Sequence, residues 1–352
     1  MKITKAQTLK QKPDFSKLGF GKYLTDHMAV IYYDADFGWG EPQIVPYGRF
    51  DINPASCVLH YGQGIFEGLK AYKCAEGKIT MFRPRDNFKR MNSSARRLCM
   101  PELDIERALS LLKELVLLEQ DWIPSLPNTS LYIRPFMFAN EDFLGVQPSK
   151  KYIFSIIMSP VGSYYAGGLA PTKIMIEDEY TRAADGGTGE VKCMGNYAAS
   201  LYGAEKAKKL GFEQVLWLDA AQKKYAEEVG SMNIFFVIDG IVVTPALTGS
   251  ILPGITRDSA LKLLRRYGYK VEERRISVDE IISAQKDGSL NEIFGTGTAA
   301  VVSSVGTVAY KGESFIINGN KMGKITEWLY DRLTGIQTGF YPDEFEWIES
   351  VK

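Results

Sequence analysis

Histidine is scarce in this chain, which has two, His27 and His60, in 352 residues. A histidine-based zinc cage or a Ser-His-Asp triad has almost no material to be built from. Cysteine is nearly as sparse, and Cys57, Cys74, Cys99 and Cys193 show no CxxC or other metal-ligand spacing. A chain of this length does not need disulfide staples, so reduced thiols and no bound metal are expected. Net charge is missing too, with 42 Lys plus Arg set against 42 Asp plus Glu. That balance argues against a nucleic-acid partner and leaves only local charge to matter. No apolar run approaches a membrane span, and the lysine-bearing N-terminus lacks the apolar core of a secretory signal. The expectation is a cytoplasmic protein with no membrane partner. Internal repeats, low-complexity tracts and long single-sign charge blocks are absent as well.

What is present reads as mixed α/β. Taking roughly 150 residues per domain, the length suggests about two domains. In the first half, strand-like runs (HMAVIYYD, KITMFR, SLYIRPFMFA, YIFSIIMSPV) are interleaved with two helices. One helix is expected from near Arg85, after Pro84, to before Pro101, and the other over roughly Ile105 to Asp121, with leucines at helical spacing. Gly and Pro cluster in SYYAGGLAPTK just after a long strand, which marks a linker. Beyond it, Asn196 is expected to cap a helix closed by Gly211, and Asp239-Gly240 between two β-branched runs signals a hairpin. LPGITRDSALKLLRRYG reads as a Gly-led helix, and Ser277 with Glu280 has capping-box spacing. These signals divide the chain into an N-terminal α/β domain at 1–163, a linker at 164–176 and a C-terminal domain at 177–352. A cleft between the two domains is the default place for a ligand.

The most informative residue is Lys192, in GGTGEVKCMGNYAASLYGAEKAKKLG. It stands between Val191 and Cys193, two residues that favour the interior, in a Gly-rich and charge-poor approach to a helix. Burial makes an ammonium easier to deprotonate, and the neutral amine can then form a Schiff base with a carbonyl. A solvated surface lysine is the ordinary alternative. Three features that suit an anion or a cofactor accompany it. Gly254, Ile255 and Thr256 start a helix whose unpaired amides and dipole attract phosphate, although a plain turn into a helix has the same sequence. Glu228 precedes Val229 and Gly230 at the mouth of a strand, where Ser231 adds a hydroxyl. Arg90 lies in a helix crowded with cations, whose bland reading is a solvated face. GTGTAA, from Gly295 to Ala300, imitates a dinucleotide fingerprint, but a valine-rich strand follows where a helix is required. A tight loop offering the Thr298 and Ala299 amides to a carboxylate fits better. A Schiff-base lysine, a phosphate cup and an acid for a pyridinium nitrogen together match the needs of pyridoxal 5'-phosphate.

At this point the sequence resembles the branched-chain amino acid aminotransferases, in the fold-type IV group of pyridoxal-phosphate enzymes. The likeness runs over nearly the whole chain, through TDHM, HYGQGIFEGLKAY, FRPRDNFKRMNSSARRL, LYIRPFMFANEDFLGV, GGTGEVKCMGNYAASL, EQVLWLD, EEVGSMNIFFV, ILPGITRDS and FGTGTAAVV. It implies a two-domain α/β (mixed α+β) fold, with a small N-terminal domain and a larger cofactor-binding C-terminal domain built on a mixed sheet or barrel-like core. By the same likeness Lys192 is the Schiff-base lysine, Glu228 the partner of the pyridine nitrogen and Tyr197 that of the phenolate oxygen. Arg90, Ser231, Gly254, Ile255 and Thr256 would hold the phosphate, helped by Thr296. Tyr61 with the Thr298 and Ala299 amides would take the substrate α-carboxylate, while Phe20, Phe66, Tyr132 and Tyr164 would form the apolar pocket. Arg134 would meet the distal carboxylate of glutamate or 2-oxoglutarate. Leu144 and Val146 would reach the active site of a neighbouring subunit, which implies a homodimer. The reaction implied is ping-pong transfer between leucine, isoleucine or valine and 2-oxoglutarate. D-amino acid aminotransferases and aminodeoxychorismate lyases share the cofactor chemistry but not FEGLKAY and LYIRP. Met194 stands where a glycine is common, and Ser231 where threonine is common.

Overall fold

The computed structural model describes residues 1–74, 77–162 and 170–351. They fall into two compact units, the first made of 1–74, 77–162, 191–194 and 335–351, the second of 170–190 and 195–334. The first part of the linker expected at 164–176, residues 164–169 with Tyr164, lies outside the described residues, and its last part is already strand.

In chain order the first unit carries β1 (Lys2–Ile3), β2 (His27–Asp34), β3 (Gly38–Trp39), β4 (Gln43–Pro46), α1 (Cys57–Tyr61), β5 (Gly64–Phe66), β6 (Leu69–Lys73), β7 (Ile79–Phe82), α2 (Pro84–Arg97), α3 (Ile105–Leu118), β8 (Ser130–Ala139) and β9 (Lys151–Val161). Its ten-stranded sheet runs β1-β4-β2-β9-β8-β6-β7 and ends on β19 (Ile348–Ser350), with β3 on β2 and β5 on β8. All these pairings are antiparallel except β1 with β4. Pro84 opens α2 as expected, and Asp104 caps α3 by accepting from the Arg107 amide at 3.1 Å. Helices of 14 residues are marginal alone. Packing holds them: Phe88, Met91 and Ala95 of α2 and Leu109, Leu112, Leu115 and Val116 of α3 share one core with Ile31, Leu69, Met81, Ile133 and Phe154 of the sheet. Each large side chain buried this way contributes about 1.5–3 kcal/mol.

The second unit carries β10 (Thr172–Glu177), α4 (Met194–Lys209), β11 (Gln214–Leu218), β12 (Ala226–Val229), β13 (Met232–Ile238), β14 (Ile241–Thr244), α5 (Ile255–Arg266), β15 (Val271–Glu273), α6 (Val278–Asp287), β16 (Leu290–Gly297), β17 (Val301–Tyr310), β18 (Glu313–Ile316) and α7 (Lys324–Gln337), of which the ends of α4 and α7 belong to the first unit. Here six strands close on themselves in the order β12-β11-β10-β17-β16-β13, because β12 also pairs with β13. The Asp239-Gly240 hairpin is formed, with φ of 48° and 75° as a two-residue turn of the favoured hand requires. Ser277 caps α6 by accepting from the Glu280 amide at 3.1 Å. The GTGTAA segment is the end of β16 and a turn into β17, a strand where a dinucleotide fold needs a helix. Asn196 differs from its expected role. The helix starts two residues earlier, at Met194, and the Asn196 amide instead ties down the preceding loop, donating to the Thr188 carbonyl at 2.6 Å and accepting from its hydroxyl at 2.7 Å.

Candidate active site

In the first unit Lys192 is fixed through its backbone. Its N–H donates to Ser94 Oγ on α2 at 3.0 Å, and its carbonyl accepts from the Phe66 amide at 3.0 Å. Cys193 bridges to Ile65, so the tetrapeptide 191–194 lies along β5. Val191 and Cys193 are each 5% exposed, while Lys192 itself is half-buried. This is the alternation of an extended segment, with the flanking side chains in the core and the lysine on the other face. Its ammonium lies 4.9 Å from the centre of the Phe66 ring. Met194 packs inward with Met28, Val30, Phe138 and Ile153, and its sulfur lies where a side chain at Gly64 would stand, 2.6 Å from such a Cβ. The methionine therefore fills space beside β5.

Glu67, next to Phe66, has a fully buried side chain. Both its oxygens meet Arg90, Nε to Oε1 at 2.8 Å and Nη2 to Oε2 at 2.8 Å, and Asn87 Nδ2 donates to Oε2 at 2.9 Å. Burial alone would raise this carboxyl, but the Arg90 guanidinium, with the Asn87 bond and the Lys192 charge, outweighs it and holds the group below the usual carboxylate range. Glu67 thus sets the orientation of Arg90 and supplies negative charge toward Lys192. Glu67, within FEGLKAY, is not among the residues that the sequence singles out. A glutamate inside a run of strand-forming residues is itself a signal, since acids are depleted there.

Around Phe66 the sheet gathers an aromatic and cationic surface. The Arg134 guanidinium lies 4.7 Å from the Phe66 ring centre, and its Nη2 donates to the Tyr132 hydroxyl at 2.9 Å. Phe20 meets Tyr132 edge-on with centroids 4.9 Å apart. Arg134 Nε is buried with no hydrogen-bond partner among the described residues, so the side chain keeps donor capacity for a bound carboxylate. Across from Tyr132, Lys70 is buried, which pushes its amine down to about 8. Gly68 is glycine for a reason of space, because a Cβ there would collide with the Tyr132 hydroxyl. Gly68→Ala is expected to destabilise the protein by about 1–3 kcal/mol, measured by urea denaturation. Elsewhere in this unit the Tyr61 hydroxyl donates to the Leu144 carbonyl, and Leu144 and Val146 are 61% and 85% exposed.

In the second unit Glu228 lies on β12, paired with Trp217 on one side and Asn233 on the other, and is 4% exposed. Its Oε1 accepts from the Leu252 amide at 2.8 Å, and its Oε2 is 3.3 Å from Arg182 Nε. Asn233 Nδ2 donates to the Leu252 carbonyl at 2.9 Å, and a Cβ at Gly254 would collide with the same Asn233 side chain. Only glycine therefore starts α5 here, with the amides of Ile255 and buried Thr256 in its first turn and no side-chain cap from Gly254. Gly230 turns the chain at φ 58°, followed by an exposed Ser231. Thr296, at the end of β16, has a buried hydroxyl with no hydrogen-bond partner among the described residues. Thr298 and Ala299 form the turn that follows it, and Tyr197 is half-buried in the first turn of α4. A buried carboxylate, a glycine-started helix and an orphaned threonine hydroxyl fit the acid partner and phosphate contacts that pyridoxal phosphate needs.

Residues 64–308 match the family described as Amino-transferase class IV. A probable branched-chain-amino-acid aminotransferase of Staphylococcus epidermidis is 56% identical over 348 residues, covering 99% of this chain and 97% of that protein. Among solved structures, the branched-chain amino acid aminotransferase of Escherichia coli superposes with a TM-score of 0.76 at 27% identity, covering 92% of this chain and 99% of that one. The T.th. branched-chain amino acid aminotransferase with pyridoxamine 5'-phosphate gives a TM-score of 0.75 at 25% identity, over 92% of this chain and 98% of that one.

Proposed function

This chain belongs to the class IV aminotransferases, among the branched-chain amino acid aminotransferases, and we propose that it moves the amino group of L-leucine, L-isoleucine or L-valine to 2-oxoglutarate, reversibly and by a ping-pong route. The observation that carries the substrate assignment is the surface around Phe66. It joins the rings of Phe20, Phe66 and Tyr132 to an arginine with donor capacity to spare. Such a surface favours an aliphatic side chain and still accepts a carboxylate, as a donor and acceptor pair of this kind demands.

Pyridoxal phosphate, when bound, supplies the sink for the electron pair released at the substrate Cα. Lys192 would join its carbonyl and, once freed, carry the proton from the substrate Cα. Glu228 would accept the ring N–H, and Tyr197 would donate to the phenolate oxygen. Arg90, Ser231, Gly254, Ile255, Thr256 and Thr296 would hold the phosphate, the helix start contributing amides and dipole. Tyr61 with the Thr298 and Ala299 amides would take the α-carboxylate, and Tyr164 would join the apolar pocket. Leu144 and Val146, apolar and exposed, are in this reading completed by a second copy of the chain, in a cytoplasmic homodimer.

Among the described residues, no helix is long and apolar enough to cross a membrane. The test of the substrate assignment is Arg134→Met. Its kcat/KM for glutamate and 2-oxoglutarate is expected to fall roughly 10- to 100-fold, the worth of a charge-assisted hydrogen bond, while that for L-leucine stays within a few-fold. Equal losses on both substrates would remove Arg134 from the distal-carboxylate role. Turnover of D-alanine in preference to L-leucine by the unaltered enzyme would overturn the proposal itself.

A further inference from the structure

Two glutamates stand side by side on β12, and the sheet treats them differently. The register of β12 on β11 shifts between Glu228 and Ala226, so Glu227 stands at a bulge and meets surroundings different from those of Glu228. Glu227 receives one hydrogen bond, from Ser250 Oγ to Oε1 at 2.5 Å, and its Oε2 is buried with no partner among the described residues. Burial, the larger influence, raises its carboxyl despite that bond and the nearby Arg182. Glu228 instead accepts the Leu252 amide on Oε1 and has an ion pair at Oε2, 3.3 Å from Arg182 Nε, which makes no hydrogen bond among the described residues.

Arg182 is built in from the opposite side. Its side chain is 7% exposed, and its Nη2 donates to the Ser250 carbonyl at 2.5 Å while Nε faces Glu228. Gly189 packs so closely on that carbonyl that any Cβ would overlap it. Ser250 is thus held by its side chain on Glu227 and receives Arg182 with its backbone. Arginine is suited to such a place because one nitrogen of its rigid guanidinium donates to the Ser250 carbonyl while its delocalised charge lies beside Glu228 Oε2.

We propose that Arg182 is the positioning residue for Glu228, fixing its carboxylate in one rotamer with a counter-charge at Oε2, and that Ser250 and Glu227 in turn aim Arg182. This rests on the assignment of Glu228 to the ring nitrogen. The carboxylate is then oriented before the cofactor arrives, with the Arg182 charge beside Oε2. The neighbouring Glu227 serves as an anchor for Ser250.

The experiment compares Arg182→Met, Arg182→Lys, Glu228→Gln and the Met/Gln double variant, each as cofactor-loaded protein. Three quantities are read: affinity for pyridoxal phosphate, the pH at which the bound cofactor's visible band titrates without substrate, and single-turnover rate with L-leucine. Arg182→Met is expected to shift the band titration and slow the turnover roughly 10- to 100-fold, the range typical of residues that orient a working ligand. KM should stay within about threefold, and Arg182→Lys should recover most of the rate. In the Glu228→Gln background, Arg182→Met should change the rate by less than about twofold, because the two act as one unit. Full additivity in the double variant, or an unshifted band with wild-type turnover in Arg182→Met, would overturn the positioning role and leave Glu228 standing. If Glu228→Gln itself leaves band and turnover unchanged, the ring-nitrogen assignment falls and this inference falls with it. Should Arg182→Met not fold, Arg182→Gln, which keeps a donor for Ser250, carries the same comparison.

Discussion

Lys192→Ala is expected to abolish the visible absorption of a lysine-linked cofactor and to slow transamination by at least roughly 10³-fold, as loss of a nucleophile that also carries protons does. The folded state should survive it. Ser94 and Phe66 hold the backbone of Lys192, and neighbouring Cys193 bridges to Ile65, so the ties that fix this segment do not involve the side chain. Truncation removes an amine poised over the Phe66 ring and leaves Val191 and Cys193 in the core. Absorption spectra and single-turnover kinetics on a variant with a wild-type thermal transition separate chemistry from folding. Retention of both band and rate would end the assignment of Lys192. Partial rescue by a small primary amine would support it, since what the variant lacks is a nucleophilic nitrogen.

Glu67→Ala is expected to destabilise the protein itself, by about 3–5 kcal/mol, because it leaves the Arg90 guanidinium, 9% exposed, without its bidentate carboxylate. Glu67→Gln keeps the shape and part of the hydrogen bonding, so a smaller loss of about 1–3 kcal/mol follows. Chemical denaturation of the cofactor-free variants measures both, and a loss under about 1 kcal/mol for Glu67→Ala would show that the pair does not hold this part of the fold. The pH dependence has a definite sign. The folded-state carboxyl is depressed, so the stability linked to its ionisation is complete above the ordinary glutamate range. It is lost as the pH falls through the folded value. The same variants should bind pyridoxal phosphate more weakly if Arg90 holds the phosphate, since its fork would no longer be aimed.

Glu67 also marks where sequence reading reached its limit. Local signals worked where the physics is local: Pro84 at a helix start, the Ser277–Glu280 cap, the paired positive φ angles of Asp239 and Gly240. They failed where a partner is distant. Arg90 lies 23 residues from Glu67, and Ser250 lies 68 from Arg182, so nothing in either neighbourhood reveals the pairing. Asn196 shows a local signal overridden, its side chain taken by Thr188 in place of a helix cap. Strand content was legible locally, whereas the barrel-like core, which the structure bears out, was legible only through the family resemblance. Closure depends on β10 lying parallel to both β11 and β17 and on β12 meeting β13, and a list of strands does not specify those choices. The candidate site became legible through many ordered blocks, which fix residue types and leave hydrogen-bond partners unstated.

The strands at the margins of both sheets have a further consequence. The ten-stranded sheet ends on β1, of two residues, and β19, of three, while the barrel leaves only β15, of three, and β18, of four, outside its closed ring along with β14. Margins this short offer another chain too few free amides and carbonyls for strand addition. Among the described residues strand addition therefore has little edge to work with, and the second copy proposed above would be met through side chains, those of exposed Leu144 and Val146 among them.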